Sequence, residues 1–168
     1  LAAMAAGGVA VPLNPELRVT DIKSLIAHAG ARYVFVDLKS RVGDQLMAQA
    51  DDLVWIVNGA TEHAAAIQLP FLPLSASLRS WSSESDLAMI LYTSGTTGAP
   101  KGVMLSHDSV LQNGLDVCDY LELTEADASL ALLPFYYSFG NSVLVTHLLA
   151  CEHCTYLFKR EPVSSGTL

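Results

Sequence analysis

The stretch that most limits how this chain can fold is residues 87–105, where two apolar runs, 87–92 and 102–105, are joined by Thr93-Ser94-Gly95-Thr96-Thr97-Gly98-Ala99-Pro100-Lys101. Gly95 and Gly98 are unfavourable inside a helix or strand, and Pro100 has no amide hydrogen to give to a sheet. The chain must therefore leave one strand, turn, and return as another. Hydroxyls and free amides donate hydrogen bonds, glycines let the backbone approach an anion, and Lys101 adds a full positive charge, so the loop reads as a cradle for a polyphosphate such as a nucleoside triphosphate.

The residues after the lysine separate two kinds of phosphate loop. In the Walker type, Ser or Thr comes directly after the lysine at the head of a helix. Here Lys101 is succeeded by Gly102-Val103-Met104-Leu105, which reads as a strand. The device is strand, loop, strand, which disfavours a P-loop phosphohydrolase.

The rest of the chain alternates strand and helix signals. Residues 1–6 are helix-forming and stop at Gly7-Gly8, and residues 9–13 read as a short β-rich run closed by Pro12, Asn14 and Pro15. Thr20 stands at an N-cap position, Ile22, Leu25, Ile26 and Ala29 recur at helical spacing, and Gly30 is the stop. Residues 33–36 and 53–57 are continuous apolar runs of strand type, with a helical stretch around Val42, Leu46 and Ala50 between them. Between residues 68 and 85 the composition shifts to Pro70, Pro73 and six serines, which reads as a surface connection.

After the loop, Ser106 or Asp108 can cap a helix in which Val110, Leu111, Leu115, Cys118 and Leu121 form an apolar stripe. Residues 129–133 read as a strand, residues 134–140 as an aromatic turn, residues 142–150 as a buried helix and residues 154–158 as a last strand. This order predicts an α/β fold with mostly parallel sheets and helices on both faces. It divides into a first block, 1–67, a connection, 68–85, and a block carrying the loop and the aromatic segment, 86–168.

Composition narrows the partners. With 51% apolar residues in 168, the chain has a globular core, and its net charge of −8 argues against nucleic acid or an anionic membrane surface. No apolar run is long enough to span a bilayer, no basic leader opens the chain, and Cys118, Cys151 and Cys154 read as reduced thiols, all of which suggests a cytoplasmic setting. The chain opens in mid-pattern at Leu1, as a piece of a longer protein would.

Residues 91–107, LYTSGTTGAPKGVMLSH, resemble the phosphate-binding signature of the adenylate-forming superfamily: acyl- and aryl-CoA synthetases, luciferases and the adenylation domains of peptide synthetases. Residues 6–17, AGGVAVPLNPEL, and 132–144, LLPFYYSFGNSVL, resemble the family's flanking segments. The resemblance implies a fragment of the large N-terminal domain of an acid–thiol ligase. In such enzymes a carboxylic acid attacks the α-phosphate of ATP, and a thiol, commonly coenzyme A, then displaces AMP, with Mg²⁺ assisting. It further implies that Thr93, Ser94, Thr96, Thr97 and Lys101 contact phosphate, that Gly95, Gly98 and Gly102 permit the turn, and that Tyr137, Phe139 and Gly140 line an acyl pocket. The family often carries His where this chain has Tyr137. The family's Tyr-Gly-x-Thr-Glu segment, ribose-binding aspartate and C-terminal lysine have no counterpart here, so the resemblance implies no complete catalytic set, no metal site, and an inactive fragment that works with the remainder of its own chain. The rival reading is a stand-alone nucleotide-binding or regulatory module.

Plainer readings serve elsewhere. Cys151-Glu152-His153-Cys154 has half the donors of a zinc site, with no second pair to complete a tetrahedron. His147 reads as a core histidine, His28, His63 and His107 as surface or cap residues, and Asp116, Asp119, Glu122, Glu125 and Asp127 as a solvated helix face and loop.

Overall fold

The computed structural model describes residues 2–37, 42–49, 53–58, 66–68, 83, 86–93, 100–127 and 133–150. They belong to two compact units, one drawn from residues 13–79 and 92–102, the other from residues 1–12, 80–91 and 103–168. The strands expected over 129–133 and 154–158, and the Cys151–Cys154 segment, lie outside the described residues, apart from Leu133, which is not in a strand. So do His63, the side chain of His147 and most of the 68–85 connection.

In the first unit, helix α2 (Val19–Ala29) is followed by strand β1 (Tyr33–Asp37), helix α3 (Gly43–Met47), strand β2 (Val54–Asn58) and strand β3 (Ala66–Gln68). The strands form a parallel sheet in the order β1-β2-β3, with Val34 opposite Trp55 and Val36 opposite Val57. That register sets four apolar side chains on one face, since successive strand residues alternate faces. Ile22 and Ile26 of α2, with Val42, Leu46 and Met47 at α3, close over that face, and Trp55 and Val57 are fully buried. Tyr33 and Phe35 point the other way and are each 58% exposed. A run apolar at every position announces a strand but does not say which face is packed.

The ends of α2 divide between success and correction. Gly30 is the stop, at φ 63° and ψ 29°, where its N–H donates to the Ala27 carbonyl and that of Ala31 to Ile26. Thr20 is not the N-cap. The helix already begins at Val19, with Arg18 in the cap position and its guanidinium held by the Asp21 carboxylate at 2.8 Å and 3.0 Å. Strand β3 falls where the chain shows no strand signal beyond Ala66-Ile67, and it forms because β2 offers it a parallel edge.

In the second unit, helix α1 (Ala2–Ala5) stops before Gly7, whose φ of 77° suits only glycine well. The strand expected over 9–13 reduces to one parallel bridge between Ala10 and Met89. The Ala10 N–H donates to the Ala88 carbonyl and the Ile90 N–H to the Ala10 carbonyl, both at 2.9 Å. The next donor in such a ladder would be residue 12, a proline without an N–H, and pairing ends there.

Strand β4 (Leu87–Thr93) pairs with strand β5 (Lys101–Ser106), and the His107 N–H donates to the Asp86 carbonyl at 3.0 Å, so the end of β5 lies beside the start of β4 and the strands are antiparallel. Helix α4 (His107–Tyr120) opens on a reciprocal cap: the Ser109 N–H donates to Ser106 Oγ and the Ser106 N–H to Ser109 Oγ, each at 3.1 Å. Helix α5 (Ser138–Ala150) packs on α4 where Gly114 is buried. A Cβ there would come within 2.7 Å of Leu149 Cδ1 and 3.2 Å of Val145 Cγ1. The contact face of α4 therefore keeps only part of the stripe expected from the apolar residues, with Cys118 on it. Leu111, Leu115 and Leu121 are 43%, 45% and 56% exposed, because the glycine lets the helices approach on its own side. Among the described residues no helix is long and apolar enough to cross a membrane.

Trp55→Ala is expected to cost about 3–5 kcal/mol, the usual penalty for emptying a large buried aromatic site. Urea unfolding followed by circular dichroism checks it.

Candidate functional site

Strand β4 carries the chain from core to surface. Ala88, Met89 and Leu91 are buried with Met4, half-covered by Ala10, Leu105 and Val110, whereas Tyr92 is half-buried and Thr93 exposed. β5 returns with Lys101 exposed and Gly102 half-buried. Thr93 and Lys101 thus end and begin two neighbouring strands, on either side of the glycine-rich loop. Among the described residues, the Lys101 side chain has no hydrogen-bond or ion-pair partner. Ser94, Gly95, Thr96, Thr97 and Gly98 lie outside the described residues. An exposed threonine and an exposed lysine at the two stems have the hydrogen-bonding and charge chemistry to meet an anion. Among the described residues no group of three or more His, Cys, Asp or Glu could hold a metal ion.

The stem is tied down by a contact with no counterpart among the sequence expectations. Tyr92 Oη lies 2.7 Å from His28 Nδ1 and 3.3 Å from the Leu25 carbonyl oxygen, and the two rings meet edge to face with centroids 5.7 Å apart. Burial pushes the Tyr92 phenol above its ordinary range, so the hydroxyl keeps its proton at neutral pH and remains a donor. His28 reads from its own neighbourhood as a surface residue near a helix end. Its partner stands 64 positions away, and the only local signal is a tyrosine closing an apolar strand.

The aromatic segment is built at the head of α5. The Tyr137 N–H donates to the Pro134 carbonyl at 3.1 Å, the Asn141 N–H to the Tyr137 carbonyl at 3.0 Å, and Asn141 Nδ2 to the Phe135 carbonyl at 3.4 Å. These bonds start the helix at Ser138, so Phe139 and Gly140 stand in its first turn rather than in a free turn. Tyr137 is 51% and Phe139 65% exposed, and the rings of Tyr136 and Tyr137 lie 4.6 Å apart at 52°. Gly140 is buried against backbone: a Cβ would come within 2.5 Å of the Pro134 carbonyl oxygen and 2.8 Å of that of Leu133. Its packing is a close backbone approach. Farther along, Ser142 Oγ donates to Asn113 Oδ1 at 3.1 Å and Cys118 Sγ to the Thr146 carbonyl at 3.5 Å, which fixes α5 on α4.

The acidic set is solvated, as expected: Asp116, Asp119, Glu122, Glu125 and Asp127 are all exposed. Asp116 accepts from Gln112 Nε2 at 2.7 Å, one turn away, and Asp127 from the Thr124 N–H at 2.7 Å.

A strand that runs from core to surface, a partner strand that returns beside it, and a parallel sheet covered by helices together describe an α/β protein. Residues 1–167 match the family described as AMP-binding enzyme, and the chain belongs to that family. It is 32% identical to sulfoacetate–CoA ligase of Cupriavidus necator over 158 residues, which are 91% of this chain and 30% of that protein. Surfactin synthase subunit 2 of Bacillus subtilis is 39% identical over 135 residues, 72% of this chain and 4% of its own length. The crystal structure of ATP-bound MatB from Rhodopseudomonas palustris superposes with a TM-score of 0.67 at 30% identity, over 94% of this chain and 31% of that one. The chain thus spans about a third or less of the length of these relatives.

Gly140→Ala is expected to destabilise the protein by about 1–3 kcal/mol, because backbone atoms cannot yield as a side chain can. Ser138→Ala, exposed on the same turn, is expected to change stability by less than about 0.5 kcal/mol. Thermal melts of the two variants side by side give the comparison.

Proposed function

We propose that this chain is the part of an AMP-forming acid–thiol ligase that holds the phosphates of ATP and borders the acyl substrate. The observation that carries this reading is the exposed Lys101 at the head of β5, whose side chain has no partner among the described residues, with Thr93 exposed at the other end of the glycine-rich segment. It is supported by similarity to a CoA ligase and to an ATP-bound neighbour.

In the reaction, an oxygen of the substrate carboxylate attacks the α-phosphorus of ATP and the bond to the bridging oxygen breaks, releasing pyrophosphate. The thiol sulfur of coenzyme A then attacks the acyl carbon of the adenylate, loses its proton, and AMP departs. Magnesium, when bound, neutralises phosphate charge. Lys101 supplies a cation beside the leaving pyrophosphate, Thr93, Ser94, Thr96 and Thr97 supply donors, and Gly95, Gly98 and Gly102 let the backbone come close. Tyr137 and Phe139 offer exposed rings for the acyl group at the head of α5, and Gly140 lets the first turn of α5 close on the carbonyls of Leu133 and Pro134. A tyrosine at 137 presents a flat face and a hydrogen-bonding tip without an imidazole's titration near neutral pH. The remainder of the ligase's own chain supplies the other catalytic groups.

Acid-dependent exchange of labelled pyrophosphate into ATP, run on the full-length protein across a panel of carboxylic acids, tests this reading. Exchange with at least one acid is expected. Lys101→Ala should lower its kcat/KM for ATP about 10- to 100-fold, the worth of one hydrogen bond to a charged group, without loss of fold. ATP binding with no acid-dependent exchange would support a nucleotide-binding module instead.

A further inference from the structure

We propose that Tyr92 is a positioning residue for the phosphate loop, its hydroxyl latching the loop's stem to helix α2 through His28 and the Leu25 carbonyl. The proposal rests on the ligase reading for its consequence and on geometry for the latch itself. Tyr92 immediately precedes Thr93, the last residue of β4, so wherever the Tyr92 side chain is fixed the Thr93 backbone is fixed within one peptide unit. The peptide unit itself is planar, and the pairing of β4 with β5 limits the φ and ψ on either side of it.

The bond network explains why two partners are needed. The phenol has one proton and makes two contacts, at 2.7 Å and 3.3 Å. Both are satisfied when Nδ1–H of His28 donates to the phenol oxygen and the phenol hydroxyl donates to the Leu25 carbonyl. The hydroxyl is then held from two directions, and the edge-to-face packing of the rings fixes the ring plane as well. On α2 itself, Leu25 is buried and Ile22 and Ile26 belong to the core of the unit, so the latch is fastened to a rigid element. A stem fixed before the nucleotide arrives leaves less backbone freedom to be lost on binding.

The test uses the full-length protein and separates the latch from the ligase reading. Tyr92→Phe keeps the ring and removes the hydroxyl. Without nucleotide, amide hydrogen exchange at Thr93 and Lys101 is expected to quicken about 3- to 10-fold, as for the loss of one neutral hydrogen bond, with other β4 amides unchanged. With nucleotide, KM for ATP in pyrophosphate exchange should rise about 3- to 10-fold while KM for the acid stays put. His28→Ala should reproduce both effects and His28→Asn, which restores a hydrogen-bonding group near the Nδ1 position, should reverse them. The pair Tyr92→Phe with His28→Ala should be no worse than either alone. Arg18→Ala, which breaks the exposed ion pair at the other end of α2, serves as the control that moves neither readout.

Unchanged amide exchange at the stem in Tyr92→Phe overturns the latch. Faster exchange with an unaltered KM for ATP overturns its positioning role. A wild-type protein that carries out no pyrophosphate exchange overturns the ligase reading alone, since stem protection is measured without nucleotide and decides the latch by itself.

Discussion

The candidate site depends on one constraint: strand β4 must be buried up to Leu91 and emerge at Thr93. Ala88 and Met89 lie against Met4, and the strand is paired by Ala10 on one side and β5 on the other, so its direction is fixed before the loop begins. A strand held this way delivers the first loop residue to one place on the surface. Its antiparallel neighbour β5 brings the lysine back to the same end, and a two-strand device therefore replaces the strand and helix of a Walker loop.

Glycine does two different jobs in this chain, and only packing distinguishes them. In the loop, Gly95, Gly98 and Gly102 are read as giving conformational freedom to a backbone that approaches phosphate. At Gly114 and Gly140 the need is for space: one admits Leu149 and Val145 of the facing helix, the other sits against the carbonyls of Leu133 and Pro134. Gly140 lies in the first turn of α5, where its lack of a side chain lets that turn close on the preceding carbonyls.

The expectations that needed changing fail for local physical reasons. The strand over 9–13 ends at a single bridge because Pro12 has no N–H for the ladder. The apolar stripe of α4 faces outward in part because the contact forms around Gly114, a residue that carries no hydrophobic signal. The cap of α2 falls at Arg18 rather than Thr20, since the backbone is already helical at Val19 and the Arg18 carbonyl accepts from the N–H groups of Asp21 and Ile22.

Elements with strong local codes were legible in the chain before any fold was known: the apolar runs of β1, β2 and β4, the Gly30 stop, a helix cap narrowed to Ser106 or Asp108, and the strand after Lys101 that separates this loop from a Walker type. The family was legible too, because a long ungapped stretch of loop residues needs no fold to be recognised. Packing in three dimensions was required to show which face of each element is covered, where Gly114 and Gly140 admit a close neighbour, and that Tyr92 reaches His28. The contacts at Gly114 and Tyr92 join residues far apart in the chain, that at Gly140 closes a local turn, and the positions that make them, glycines, a tyrosine and a surface histidine, have no local periodicity by which a sequence could announce them.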